Sequence, residues 1–349
     1  MTPRFVHSFL PVASWPGIKS LAWQGDALID WLQSTRIYHL DGSVDDGVRR
    51  YAYSFDAVAT SPSGNYTILY ERLGTRAIVL RDFEVIREIS RSYYQADAFD
   101  YPIGLFRLAD GREAIAHAPD IYNRIEIDLL ETGERLTARP PNAPDPIDYF
   151  PSGLVADPAG EWLMSTGWVW HPAYAAAFYP LPAALGDPSI LDANHFNWDQ
   201  TETTAGAWLG RDRVALASDP EADCYVEEDQ TQPDTIPYPG RIGIYRPSSR
   251  EWESDAMVGE PIGQLLQVDE LHVLALHDHP KLIHVPSGEI VERWHDIPSG
   301  PWAGCITHHL GELPPTAWDP EGRRLAVASA EGIHLLTLDR LAAVPVPLR

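Results

Sequence analysis

Histidines and carboxylates are the side chains of this sequence most able to do chemistry. His171, His195, His277, His279, His295, His308 and His309 all lie in polar segments between apolar runs, and Asp278 and Asp296 stand next to three of them. Imidazole and carboxylate from neighbouring loops could assemble a zinc, iron or manganese site, which would make the chain a metal-dependent hydrolase or lyase. The spacing does not favour this: His308 and His309 are adjacent and point apart in extended chain, and no H-E-x-x-H pair occurs. Cys224 and Cys305 are the only cysteines, too few for a multi-cysteine zinc site or a disulfide framework. Nucleophile elbows, phosphate loops and dinucleotide loops are missing as motifs, and Ser152 in "PSGL" and Ser299 in "IPSG" read as turn residues. Neither a catalytic residue nor a cofactor is assigned from the sequence.

Residue types that recognise another protein are more concentrated. The segment 219–240 carries Asp219, Glu221, Asp223, Glu227, Glu228, Asp229 and Asp234 without one Lys or Arg. Such carboxylates repel one another unless a cation or a basic partner neutralises them. The Asp-x-Asp-x-Asp-Gly order of an EF-hand loop is missing. Tyr93, Tyr94, Phe99, Trp168, Trp170, Tyr174, Phe196, Trp198 and Trp302 also fall between apolar runs, and large amphipathic rings beside acids are the composition of a binding hot spot. The partner-binding set expected from this pattern is Trp168, Trp170, His171, Tyr174, Phe196, Trp198, Asp223, Glu227, Glu228, Asp229 and Trp302. Within it, the stretch "GWVWHPAY" reads as a long connection whose rings stay available.

Composition bounds the partner. The 349 residues are 44% hydrophobic and 10% aromatic, enough for a large core, and the formal charge of -24 repels phosphate backbones and anionic bilayers while permitting a basic protein. Nucleic acid and membrane are therefore unexpected partners. The opening "MTPRFVHSFLPVASWPG" lacks the flanks and length of a secretory signal, and apolar runs stay short of 18 residues. A cytoplasmic chain, monomeric on its own, is the expectation.

The elements that must carry these loops repeat along the chain. "TAWDPEGRRLAVASAEGIHLLTL" reads as strand, tight turn, strand, turn, strand, and the pattern recurs from about residues 19, 55, 104, 152, 206 and 263 as well as 317. Pro-Ser-Gly, Ala-Asp-Gly and Pro-Glu-Gly occupy the same turn. Seven such units predict an all-β fold, a single domain over 1–349 made of seven four-stranded antiparallel blades. The last unit has three strands of its own, so "RFVHSFL" near the N-terminus, within residues 4–10, is expected to supply the fourth and close the ring.

On "IEIDLLETGERL" and "AWDPEGRRLAVAS" the chain resembles the Trp-Asp-repeat superfamily of β-propellers, although its third strands end in Leu40-Asp41 or Asp128-Leu129 rather than Trp-Asp. The resemblance implies a scaffold and leaves function open. With strands lettered a to d outward from the axis, the a-b turns are short in every unit. The long segments fall among the b-c and d-a connections, which share the opposite face. Long loops on a rigid scaffold are where function resides, so that elaborated face is expected to bind a basic protein, in the manner of an immunity protein that neutralises a toxin.

Overall fold

A computed structural model of the protein describes residues 2–12, 17–170, 173–193, 195, 202–218 and 240–339. Seven antiparallel sheets follow one another along the chain, each built from consecutive strands except the last. That sheet runs Thr316–Asp319, Arg324–Ala328, Gly332–Leu338 and then the N-terminal strand Phe5–Pro11. The register pairs Phe5 with Leu338 and Pro11 with Gly332, so the N-terminal strand completes the seventh blade as expected. The fold is a seven-bladed β-propeller.

Turn chemistry sets the blades. Between strands a and b, the glycines of Pro-Ser-Gly, Ala-Asp-Gly and Pro-Ala-Gly take left-handed backbone, with φ of 75° at Gly64, 88° at Gly111 and 68° at Gly160. In Pro-Glu-Gly the left-handed residue is instead Arg323 at φ 50°. Aspartates hold the same turns by accepting backbone N–H bonds: Asp157 from Glu161 and Trp162, Asp269 from Leu271 and His272, Asp319 from Glu321 and Gly322.

Packing then follows the ring. Each adjacent pair of blades encloses one apolar cluster, as Phe106, Ile127, Leu154 and Leu163 do between the third and fourth and Ile242, Val273 and Ile283 between the fifth and sixth. The closing strand serves two of these clusters at once. Phe5 packs with Trp294 and Leu282 toward the sixth blade, while Leu10 packs with Leu28 and Tyr38 toward the first.

Two blades show three strands each among the described residues. The third has the strands Ile103–Arg107, Glu113–His117 and Glu126–Leu129, and its outer position is filled by an irregular segment. That segment touches the sheet through the Asp128–Arg135 bridge and the bonds from Leu129 N to Glu134 O and from Leu136 N to Ile127 O. Thr137 Oγ1 accepts from Ile127 N, taking a carbonyl's place and ending the ladder. The fourth blade has Phe150–Ala156, Trp162–Val169 and Ala173–Pro180, followed by the short helix Leu181–Gly186.

The fourth blade also corrects the reading of "GWVWHPAY". Trp168 lies within the second strand and Tyr174 within the third, leaving only residues 170–172 between them. The cross-strand pairs Phe150–Trp168 and Trp168–Tyr174 extend this sheet past the point where a connection was expected, because large rings facing one another on a pleated surface stabilise pairing.

Candidate functional site

One buried apolar cluster among the described residues lies outside the blade interfaces. Phe99, Phe150, Trp168, Tyr174 and Cys305 form it, with Ala98, Tyr122 and Ile306 against them. These residues come from the connection between the second and third blades, the inner strand and hairpin of the fourth, and the connection between the sixth and seventh. The cluster therefore belongs to the face that carries the b-c and d-a connections.

Two devices order it. Arg91, only 6% exposed, donates from its guanidinium to the carbonyls of Gly74, Asp100, Arg72, Ala96 and Phe99. It also sits 4.7 Å from the Phe99 ring centre and 5.1 Å from that of Tyr101. Burial lowers its pKa to about 10, which leaves it charged at neutral pH. A buried cation thus ties three carbonyls of the twelve-residue connection 91–102 to two of the turn at Arg72 and Gly74.

The second device is a strap. The connection 294–315 leaves the ring between the sixth and seventh blades and reaches the opposite half, where Ile306 bridges Phe99 and Thr307 N donates to Ala98 O. Thr307 Oγ1 donates to Asp100 Oδ1 at 2.6 Å, and Cys305 Sγ lies 3.8 Å from Thr204 O. Burial pushes Asp100 above the usual carboxylate range, with Arg72 at 3.4 Å pulling the other way. Gly304, at φ 65°, passes so close that a Cβ there would lie 2.6 Å from the Tyr174 ring. The strap thus spans this face of the ring, from the junction of the sixth and seventh blades to that of the second and third. Burial raises the Cys305 thiol to about 12, which makes it a packing group rather than a nucleophile.

On this support stands a row of rings. Tyr94 lies 4.8 Å from Tyr122, Tyr122 4.5 Å from Phe150, Phe150 3.9 Å from Trp168 in a near-parallel stack, and Trp168 6.2 Å from Trp170. Exposure divides the row. Trp168 is 4% exposed and Tyr174 3%, whereas Trp170 is 57%, Tyr94 45% and nearby Tyr93 87% exposed. Of the residues expected to bind, Trp170 therefore presents a surface, while Trp168 and Tyr174 are the layer beneath it. Trp302 is half-buried against the cluster between the sixth and seventh blades. His171, Phe196, Trp198, Asp223, Glu227, Glu228 and Asp229 lie outside the described residues, as does Cys224.

Sequence reasoning missed Phe150, Tyr122 and Arg91. Tyr122 could have been found, since "APDIYNR" is itself a b-c connection of the third blade. Its hydroxyl donates to the exposed carboxylate of Asp148 at 2.6 Å.

The described histidines of the metal reading sit in separate small groups. His279 and His295 lie 4.2 Å apart with their rings tilted, His277 Nδ1 lies 3.4 Å from Asp278, and His195 packs edge-on to Tyr179. His308 and His309 sit perpendicular to each other on the strap. Among the described residues no three His, Cys, Asp or Glu side chains converge on one point.

The opposite face opens into a cavity of about 1890 Å³ lined by the a-b turns, including Gln24, Asp26, Ser63, Asp157, Gln267 and Asp319. Part of its rim is held by internal pairs. Arg324 bonds Asp319 and Asp26 and lies 4.1 Å over Trp23, and Glu113 accepts from Ser61 and Ser63. No described helix is long and apolar enough to cross a membrane.

Comparison with known proteins bears on the fold alone. No family profile matches the chain, and no curated protein matches it significantly. Among solved structures it is similar to Kuenenia stuttgartiensis hydrazine synthase, with 13% identity, a TM-score of 0.57, and 92% of this chain and 96% of that one covered. A chain in a mitotic checkpoint complex gives 12% identity and 0.55 over 97% and 95%, and U3-55K gives 10% and 0.56 over 95% and 98%.

Proposed function

We propose that this chain is a non-catalytic propeller that binds another protein through its elaborated face, and that the partner is basic. The observation that carries the reading is the extra buried cluster with exposed rings above it. A fold needs apolar clusters between its blades. Here a further one, ordered by a buried arginine and a strap across this face, underlies Trp170 and Tyr94 at the surface. Pre-ordered aromatic side chains over a dry layer bind at low entropic cost. The charge of -24 and the acidic segment 219–240 supply the long-range attraction for a basic protein. One neighbour in fold was solved within a multi-protein complex, in keeping with a propeller used as a docking scaffold. A neutralising role, such as an immunity protein that blocks a basic toxin, fits this combination.

A photo-crosslinking amino acid placed in turn at Tyr94, at Trp170, at Glu88 on an outer strand and at Ser63 on the opposite face tests it in cells. A discrete crosslinked protein at the first two positions alone is expected. Equal labelling at all four, or labelling only at Ser63, would overturn the assignment of the working face.

A further inference from the structure

The aromatic row has a chemical preference that its surroundings make specific. Aromatic faces carry negative potential, and cations stack on them, guanidinium better than ammonium because it is planar and less tightly hydrated. The arginines of these connections are already committed inward. Arg72 pairs with Asp100, Arg91 holds five carbonyls, Arg124 donates to Pro144 O, and Arg139 bonds both Glu126 and Asp192. The neighbouring carboxylates are not matched in the same way. Asp145 and Asp148, in the connection ahead of Phe150, form no ion pair with any described residue, and Asp97, in the connection of Tyr93 and Tyr94, is exposed and feels only the more distant attraction of Arg91. Asp148 accepts only the Tyr122 hydroxyl, which leaves carboxylate lone pairs facing solvent beside the ring stack.

Exposed π faces and solvent-facing carboxylates, beside arginines that among the described residues of these connections turn to internal partners, make a surface lacking one component. We infer that arginine side chains of the partner dock on this row, their guanidinium planes stacked on Tyr94 and Trp170 and their N–H groups donating to Asp148 and Asp97. This rests on the protein-binding reading above and narrows the partner to one that presents arginine, not merely positive charge. A lysine-rich partner would be drawn in by the net charge but would gain little from the rings. An apolar or proline-rich segment would use the rings and ignore the carboxylates.

The test uses the full chain and two probes, an alternating arginine-glycine peptide and a lysine-glycine peptide of equal length and charge. Binding is followed by tryptophan fluorescence and calorimetry at about 150 mM salt. The arginine peptide should bind roughly tenfold or more tightly than the lysine peptide, consistent with about 1–2 kcal/mol of stacking. In Tyr94→Leu/Trp170→Leu that preference should vanish, and Trp170→Phe, which keeps a ring, should retain most of it. Asp148→Asn should weaken the arginine peptide several-fold. Both substituted rings are exposed, so an unchanged melting temperature checks folding, and Trp170→Phe gives the reading if the double variant fails that check. Equal affinity for the two peptides, or no binding of either, would overturn the inference. Crosslinking at Tyr94 and Trp170 to a natural partner, with indifference to arginine, would sink this inference while leaving the working face intact. Arginine preference without such crosslinks would overturn the working face, and with it the claim that a partner protein supplies the arginine.

Discussion

Ring closure is open to a quantitative test through Phe5 and Leu10. The two side chains leave the N-terminal strand in opposite directions, Phe5 into the cluster shared with the sixth blade and Leu10 into the one shared with the first. Phe5 meets Trp294 edge-on at 5.8 Å and is buried. Removing a buried Phe costs about 3–5 kcal/mol and a buried Leu about 2–5 kcal/mol. At roughly 2.1 cal/mol/K per residue, unfolding all 349 residues carries about 0.7 kcal/mol/K, so each kcal/mol lowers the melting temperature by about 1.4 °C. Phe5→Ala should therefore melt about 4–7 °C lower and Leu10→Ala about 3–7 °C lower. Because the two sites share no cluster, the double variant should lose close to the sum. Val6, which is exposed on the same strand, provides the control, and Val6→Ser should shift melting by less than about 1 °C. Calorimetric scans of the four proteins decide the matter. If Phe5→Ala and Leu10→Ala melt like Val6→Ser, the strand does not bind the ring together and the closure argument fails.

Trp168 and Trp170 should separate by function. Trp168→Ala should lose about 3–5 kcal/mol of stability in chemical denaturation, and Trp170→Ala less than about 0.5 kcal/mol while weakening partner capture; the opposite order would reverse the roles of layer and surface. The closing strand should be acid-sensitive, because His334 has its pKa lowered by burial and by His7, whose Nε2 lies 3.2 Å from His334 Nδ1. A base with a depressed folded pKa contributes stability above its unfolded value near 6.5 and loses it as pH falls through the folded pKa. Melting temperature should thus drop below about pH 6.5, less so in His334→Gln; parallel curves for the two proteins would refute this. Neutralising Glu227, Glu228 and Asp229 together should slow association with a basic partner by on the order of tenfold at low salt and little at high salt. Equal low-salt rates in stopped-flow mixing would leave the acidity a matter of solubility.

The blade plan was legible in the chain because its causes are local. A Pro-x-Gly turn between two apolar runs specifies a hairpin from residues a few positions apart, and the short a-b turns and long opposite connections can be counted directly. Even the closing strand was visible, since a seventh unit one strand short leaves an edge that "RFVHSFL" can cover. The surface and interior of the elaborated face had no such local cause. Trp168 and Trp170 are two residues apart in one apolar stretch, yet one is buried and the other is not. The difference is made by Phe150, which stacks on Trp168 from another strand, and by the strap that brings Cys305 and Ile306 into the same cluster. Thr307 holds that strap to Asp100 across 207 positions of sequence. Arg91 reads in sequence as one more surface charge, and only the carbonyls gathered round it by the fold make it the centre of a connection. Backbone pattern is fixed by near neighbours in the chain. Which rings a loop shows to a partner is fixed by contacts that exist only after the ring has closed.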